Sequence, residues 1–516
     1  MPDARKRPWL GLVFLPALVV GSLRMLPFLS QLLRQPEGRQ VPLPIGFVVS
    51  DWLQYAALIR QGGAPFVDPF TTEPQSGRFV LLLHQALGFA HTLTGLDVFW
   101  LLELARFPLL VAFFAALALL LQEVFASPAH RLWAVWLVAL AGGLLWPIRL
   151  LLPLLPERLA APITADVWDM YGWTPFEAAF NPLWLASLTL LLLALRPLLL
   201  TEAALPWRQR ARTALSLVIL HLTHVYGALM WGAAVLGMTG LELALGRPRA
   251  WLRLREALVC ALLAALVIAP VTVWQFGDPV LRAASGGVIG SQGAGLFWLP
   301  MALGGLLWFL LRRGVLAGAV PVRLLGWALA LVWLASTTVA NGYHFIFGLA
   351  LPLTLLAAPA VGDWFGQQRG KAAPTAMALL LFGGTLATTL ADVRAADEHR
   401  VDADALAVVT VLAPEPAARV IAPAPVARLI PALTAHRVWF GHWFLTPNYP
   451  ARTQMYKEFI GAPAEHAAGF AAVLVREDIT WLVVPTTAVA EVTAALPHWR
   501  PSWRGAALTL LRRPSP

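Results

Sequence analysis

The chain has 516 residues, of which 59% are hydrophobic and 13% charged, and its mean hydropathy is +0.68. A soluble domain is about a quarter charged, so an ordinary soluble fold is excluded and a bilayer must solvate much of the chain. The formal charge of +10 does not point to nucleic acid, because most basic residues flank apolar runs, and a single cysteine, Cys260, leaves no disulfide framework.

The first stretch, MPDARKRPWLGLVFLPALVVGSLRMLPFLS, starts basic and continues apolar for longer than a secretory core, with no small-x-small site. It reads as a retained membrane helix over 9–30. A polar, aromatic-rich segment, 31–97, follows. Within it DWLQYAALIRQGG has helical spacing, with Tyr55 one turn after Asp51. Ser50 or Asp51 is a fitting N-cap, and Gly62-Gly63 a stop. PFVDPFTTEPQSG is rich in turn residues, and RFVLLLHQALGFAHTL is apolar enough to lie in the membrane interface.

Apolar runs of spanning length then recur at 98–122, 131–152, 180–200, 210–224, 227–245, 253–275, 295–311, 322–340, 344–362 and 372–391. The short pair 210–224 and 227–245 could also be a single tilted helix or a re-entrant hairpin. Charge separates these readings. With the N-terminus cytoplasmic, the inner loops hold Arg131, Arg196, Arg208, Arg210, Arg212, Arg247, Arg249, Arg253, Arg255, Arg312, Arg313, Arg323, Arg369 and Lys371. Merging the pair would throw RPRAWLRLR outside, against the positive-inside rule. About eleven crossings are therefore expected. They leave 31–97, 153–179, 276–294 and everything after 391 on the outer side.

Past 391 the apolar runs shorten and charge returns. ARVIAP, HRVWFGH, TWLVVP and ALTLLRR read as strands, and PVARLIPAL, ARTQMYKEFI and EHAAGFAAVLVRE as helices. The expected fold class is an α-helical polytopic membrane protein, residues 1–391, with a small extracytoplasmic α/β domain, residues 392–516.

Several residues could carry chemistry. Asp51 is a carboxylate at a membrane edge, placed either to take a proton from a hydroxyl or only to cap its helix. Asp68 has the setting of a turn residue, and Glu73 is a spare acid. Asp166 and Asp169, three apart, would share one helical face and could hold Mg²⁺ or Mn²⁺, or could simply be the solvated tips of a loop. His221 and His224 share a helical face in ILHLTHVYG, too few for a zinc site. In GHWFLTPNYP, Trp443, Phe444 and Tyr449 could pack in a core or stack on a sugar. FGDPVLRAASGGVIGSQGAG is glycine-rich enough for a gate or a linker. No Walker, G-x-G-x-x-G, G-x-S-x-G or H-E-x-x-H motif is present.

The order of Asp51, GGAPFVDPF and RFVLLLHQALG after a first membrane helix resembles the polytopic glycosyltransferases of the GT-C fold. So do HLTHVYGALMWGAAVLG, GYHFIFGLALPLTLLAAP and the tail from HRVWFGH onward. The resemblance covers nearly the whole chain. It implies a multi-pass enzyme of the cytoplasmic membrane, taking a sugar from a polyprenyl-phosphate donor to a glycan, lipid or protein acceptor outside, with inversion. Asp51 would be the base, and no cofactor would be required. The oligosaccharyltransferase branch has an acidic pair like Asp166 and Asp169 in the same loop, separated there by one residue, which would hold a divalent cation. Bacterial relatives begin the helix equivalent to 344–362 with an arginine. Here Asn341, Tyr343 and His344 stand there, so contacts to the donor phosphate fall to Arg78, Arg60, Arg282, Tyr343, His344 and His224. The missing arginine also leaves a rival reading on the same fold, a non-catalytic scaffold or a lipid-linked glycan transporter. A transport path would use ionisable residues within the membrane, of which Arg24, Glu103, Arg106 and Glu242 are the few available.

Overall fold

A computed structural model describes residues 9–34, 49–141, 181–286, 308–310, 318–337, 344–345, 348–368, 370–394 and 401–514. The chain divides into two compact units. One comprises Met1–Ser30, Leu102–Val271 and Ile289–Ala395; the other comprises Gln31–Leu101, Thr272–Val288 and Ala396–Pro516. Residues 31–101 and the residues from 396 onward thus belong to one unit.

The first unit is helical. Among the described residues, seven helices are long and apolar enough to cross a membrane: Leu10–Leu33, Val98–Val124, Pro182–Leu200, Val225–Ala244, Ala250–Phe276, Ala319–Ser336 and Ala372–Arg394. Each meets an expected span within a few residues. Shorter or less apolar helices run over Pro128–Leu140, Trp207–Thr223 and Ala350–Gln367. Most of the expected span 295–311 lies outside the described residues.

Leucine and alanine make these segments helical, and burial then separates centre from rim. Pro182–Leu200 is buried on nearly every face, and Asn181 caps it by accepting the Leu183 N–H at 2.9 Å. Ala250–Phe276 exposes Leu258, Leu262, Leu266 and Val273, an uncharged face suited to lipid. Val225–Ala244 and Ala319–Ser336 cross at paired glycines. A Cβ on Gly237 would lie 2.2 Å from the Gly326 carbonyl oxygen, so only small residues allow that approach. The doubtful pair is two helices. The chain breaks between them at His224, whose backbone is extended with φ −159° and ψ 103°. His221 and His224 therefore do not share a helical face, as their spacing had suggested.

Charge ties helix ends together on one side of this unit. Arg323 Nε binds Glu242 Oε1 at 2.9 Å, and Arg253 also pairs with Glu242. Arg253 Nε donates to the Leu198 carbonyl and Arg323 Nη1 to the Leu199 carbonyl, both at 2.7 Å. Arg210 Nε meets Glu256 at 2.7 Å. The C-terminal ends of Pro182–Leu200 and Val225–Ala244 thus meet the N-terminal ends of Trp207–Thr223, Ala250–Phe276 and Ala319–Ser336. That is the alternation the arginine count requires, with cations on terminal carbonyls. Elsewhere in the unit, Arg24 pairs with Asp392 at 3.1 Å and Arg106 with Glu103.

The second unit is built on a five-stranded sheet: β1 (Arg419–Ile421), β2 (Arg437–Val438), β3 (Trp481–Pro485), β4 (Arg500–Arg504) and β5 (Leu508–Arg512), in the order β2-β1-β3-β5-β4. β1 runs parallel to β2 and β3, while β5 is antiparallel to β3 and β4. Ile421, Phe440, Phe459, Phe470, Leu482 and Leu511 are in its core. The four expected strands form where their apolar runs lie. β4 and the helices Ala403–Leu412 and Val489–Ala495 were not anticipated.

The turn-rich stretch around 69–73 closes the β2 edge. The Val438 N–H donates to the Pro69 carbonyl at 2.8 Å, and Thr71 bridges to Phe440. Arg437 Nη2 donates to the Thr71 carbonyl at 2.7 Å and the Glu73 carbonyl at 3.0 Å, and Arg452 pairs with Glu73. A bare sheet edge would expose unpaired backbone groups; here segment 69–73 satisfies them.

Candidate active site

Asp51 lies in the first turn of the helix Val49–Arg60. Trp52, Leu53, Ala56 and Ile59 are buried, and the helix packs against Ala424–Leu433 and Leu82–Thr94. Bedding on two sides fixes the helix and leaves Asp51 at its rim, with its side chain 31% exposed. The residue stands inside the first turn rather than before it, where a capping side chain belongs.

Two features stop and seat this helix. Gly62 and Gly63 both adopt positive φ, at 69° and 77°, as their sequence position suggested. Gly88 of the second helix approaches so closely that a Cβ would lie 2.6 Å from the Gly63 nitrogen. Gln61 then grips the amide and carbonyl of Val67, each at 2.9 Å, and turns the chain back. One turn after Asp51, Tyr55 stacks on the buried His84, with ring centroids 4.2 Å apart. Burial pushes the His84 pKa down to about 3, so this ring is neutral.

The Asp51 carboxylate faces a histidine that sequence reasoning passed over. His442 Nε2 lies 3.5 Å from Asp51 Oδ1, and the His442 side chain is 1% exposed. Its other nitrogen, Nδ1, accepts the N–H groups of Phe444 and Leu445, both at 3.3 Å. Thr446 Oγ1 accepts the N–H of Gly441 and of His442 and donates to the Phe70 carbonyl at 2.6 Å. The histidine is thereby locked in a turn tied to Phe70.

Asp68 and Glu73 serve the fold. Asp68 Oδ1 accepts the Phe70 N–H at 2.8 Å, the turn its position suggested. The carboxyl is fully buried, and burial raises its pKa to about 7 against the opposing pull of that bond and of Arg437. Glu73 is occupied by Arg452.

The proposed cations divide similarly. Arg60 donates to the Ala432 carbonyl at 3.1 Å, ending the neighbouring helix. Arg78 lies with its guanidinium 4.7 Å from the Trp274 ring, and its Nε has no hydrogen-bond partner among the described residues. Asp278 holds that neighbourhood together: Oδ2 accepts the Ser76 N–H and Oδ1 the Val280 N–H, both at 2.9 Å, capping Pro279–Gly286. Arg282, exposed, follows on that helix and donates Nε to the Phe276 carbonyl at 3.0 Å.

In the first unit the structure brings His224 and His344 together. Tyr226 stacks on His344 with centroids 3.9 Å apart, and Trp184 contacts His224 at 4.2 Å and His344 at 5.3 Å. Ser187 Oγ lies 3.3 Å from His224 Nδ1. Asn341 and Tyr343 lie outside the described residues, as do Asp166, Asp169 and residues 287–295 of the glycine-rich loop. Among the described residues, no group of three or more His, Cys, Asp or Glu could hold a metal ion. Of the tail aromatics, Tyr449 packs against Phe440 at 6.2 Å, whereas Trp443 is 54% exposed.

No family model matches the sequence, and no curated protein sequence does. Solved structures do share the architecture. ArnT from Cupriavidus metallidurans in the apo state superposes with a TM-score of 0.58 at 13% identity, covering 96% of this chain and 97% of that one. Arabinofuranosyltransferase AftD from mycobacteria superposes with a TM-score of 0.56 at 16% identity, covering 100% of this chain and 42% of that one. The chain is a multi-pass membrane protein with the GT-C fold of the glycosyltransferases its sequence resembles.

Proposed function

We propose that the protein is an integral membrane glycosyltransferase. It moves a sugar from a polyprenyl-phosphate donor to a hydroxyl of a glycan, lipid or protein acceptor at the outer face of the cytoplasmic membrane. The observation that carries this reading is the fate of the loop's acids. Asp68 is buried in its own turn and Glu73 is bound to Arg452 at the sheet edge, whereas Asp51, partly exposed, is held on a rigid helix beside His442. An arabinofuranosyltransferase shares the fold.

The chemistry follows from that placement. The acceptor oxygen attacks the anomeric carbon as Asp51 takes its proton. The bond from that carbon to the phosphate oxygen breaks, and its electron pair leaves with the phosphate. Attack opposite the leaving group inverts the centre, and a positioned base of this kind contributes about 10²–10⁴ in rate. The departing phosphate needs cations and donors. Arg78 and Arg282, which belong to the same unit as Asp51, supply guanidinium groups. Asp166 and Asp169 are the pair to which an Mg²⁺ or Mn²⁺ ion would fall, and no step above depends on one.

The transporter reading loses support from the buried charges. Arg24, Glu103, Arg106 and Glu242 are each committed to an ion pair within the unit, so they do not form a string of open sites. Transfer from radiolabelled undecaprenyl-phosphate sugars in vesicles tests the proposal. Wild type should turn over at least one donor, and Asp51→Asn should lose about a hundredfold or more. An idle wild type across a broad donor and acceptor panel would favour the scaffold or transporter.

A further inference from the structure

We infer that His442 is the positioning residue of the Asp51 carboxylate, which deepens the reading of Asp51 as the base and rests on it. The argument begins with the tautomer. Nδ1 accepts two backbone N–H groups, so it carries no proton, and the ring's hydrogen is on Nε2. That nitrogen is buried and makes no hydrogen bond in the described structure, yet it faces Asp51 Oδ1 at 3.5 Å. A buried donor left without an acceptor is costly. Closing the gap by about half an ångström would bring the pair to hydrogen-bond length and remove that cost.

The ring cannot easily turn elsewhere. Its backbone is gripped by Thr446, whose hydroxyl is bonded to Phe70, and Phe70 itself contacts the imidazole at 5.7 Å. A rigid donor facing one oxygen constrains the plane of the carboxylate. Proton abstraction is sensitive to that angle, and sites loose by about 1 Å are slow. In the transfer step the acceptor's proton passes to Asp51, while His442 keeps its own proton throughout and only donates a hydrogen bond.

The test uses the full chain and two kinds of readout. In the vesicle assay with undecaprenyl-phosphate arabinofuranose, His442→Leu should lower kcat about tenfold or more with KM changed less than about twofold. His442→Gln, which restores an N–H donor at the same reach, should recover most of that loss. In an Asp51→Asn background, His442→Leu should cause no further drop, because a residue acting through another has nothing left to act on. Independently of turnover, ¹⁵N-histidine spectra should show an Nε2–H tautomer for His442, and Asp51→Ala should shift its Nε2 resonance. Wild-type kcat in His442→Leu beside a dead Asp51→Asn would overturn the positioning role and leave the base intact. An Nε2 signal unmoved by Asp51→Ala would overturn it too, even with no measurable turnover. An active Asp51→Asn would overturn the base reading itself.

Discussion

The two compact units use charge in opposite ways. In the helical unit, buried arginines and acids saturate one another: Glu242 with Arg253 and Arg323, Arg24 with Asp392, Glu103 with Arg106. In the sheet unit, the arginines mostly hold backbone, with Arg437 on the Thr71 and Glu73 carbonyls and Arg452 on Trp439. The first arrangement suits a medium without water, where an unpaired charge is costly and a pair fixes which helix ends meet. The second stitches a polar loop to a sheet edge. In that stitched region Asp51 is a partly exposed acid whose neighbour is a buried histidine, His442, rather than an arginine.

The contrast can be broken at its strongest point. Glu242→Ala removes the carboxylate that two buried guanidinium groups share and should cost about 3–5 kcal/mol, seen as a large drop in the temperature of detergent-solubilised unfolding. A near-native melting temperature would mean that the cluster is not what joins those helix ends.

Asp68 sharpens the other side. Burial lifts its pKa from 3.8 to about 7, so between those values the folded chain keeps a proton that the unfolded chain releases. The stability it supports is complete below about pH 4 and is lost as pH rises through 7. Asp68→Asn keeps the acceptor for Phe70 and cannot ionise, so its melting temperature should exceed that of wild type at pH 8, by up to a few kcal/mol in stability, and match it near pH 4. An equal difference at both pH values would contradict the buried, reluctant carboxyl.

A smaller effect is expected at Gly88. Its substitution by Ala forces a methyl group against the Gly63 backbone, costing about 1–3 kcal/mol. Because the helix carrying Asp51 must shift to admit it, kcat should fall along with stability. Lost stability with unchanged kcat would show that the seat of that helix does not govern the base.

Much of this was legible in the sequence, for reasons that are physical. Lipid demands long apolar helices, so Pro182–Leu200, Ala250–Phe276 and their neighbours announced themselves. The arginine count separated the helices that meet at His224, because pairing and topology act on the same residues. β4 was hidden because RPSWR is almost wholly exposed and gains its order from pairing with β5 alone, leaving no apolar period to read. Segment 69–73 looked like turns, and pairing with Val438 and Phe440 and the grip of Arg437 and Arg452, all far along the chain, make it a sheet edge. His442 was overlooked inside GHWFLTPNYP, where the aromatics drew notice; the Gly-His step with Thr446 four residues on was the available sign of a tight polar turn. Its meeting with Asp51 is a property of tertiary structure, and no local pattern encodes it.

The most direct measurement compares wild type and Asp51→Asn in single-turnover transfer from the undecaprenyl-phosphate sugar that wild type uses in vesicles, with melting temperatures recorded for both. The account predicts a variant folded like wild type and slower by about two orders of magnitude or more. A folded variant that transfers sugar within a few-fold of the wild-type rate would contradict it.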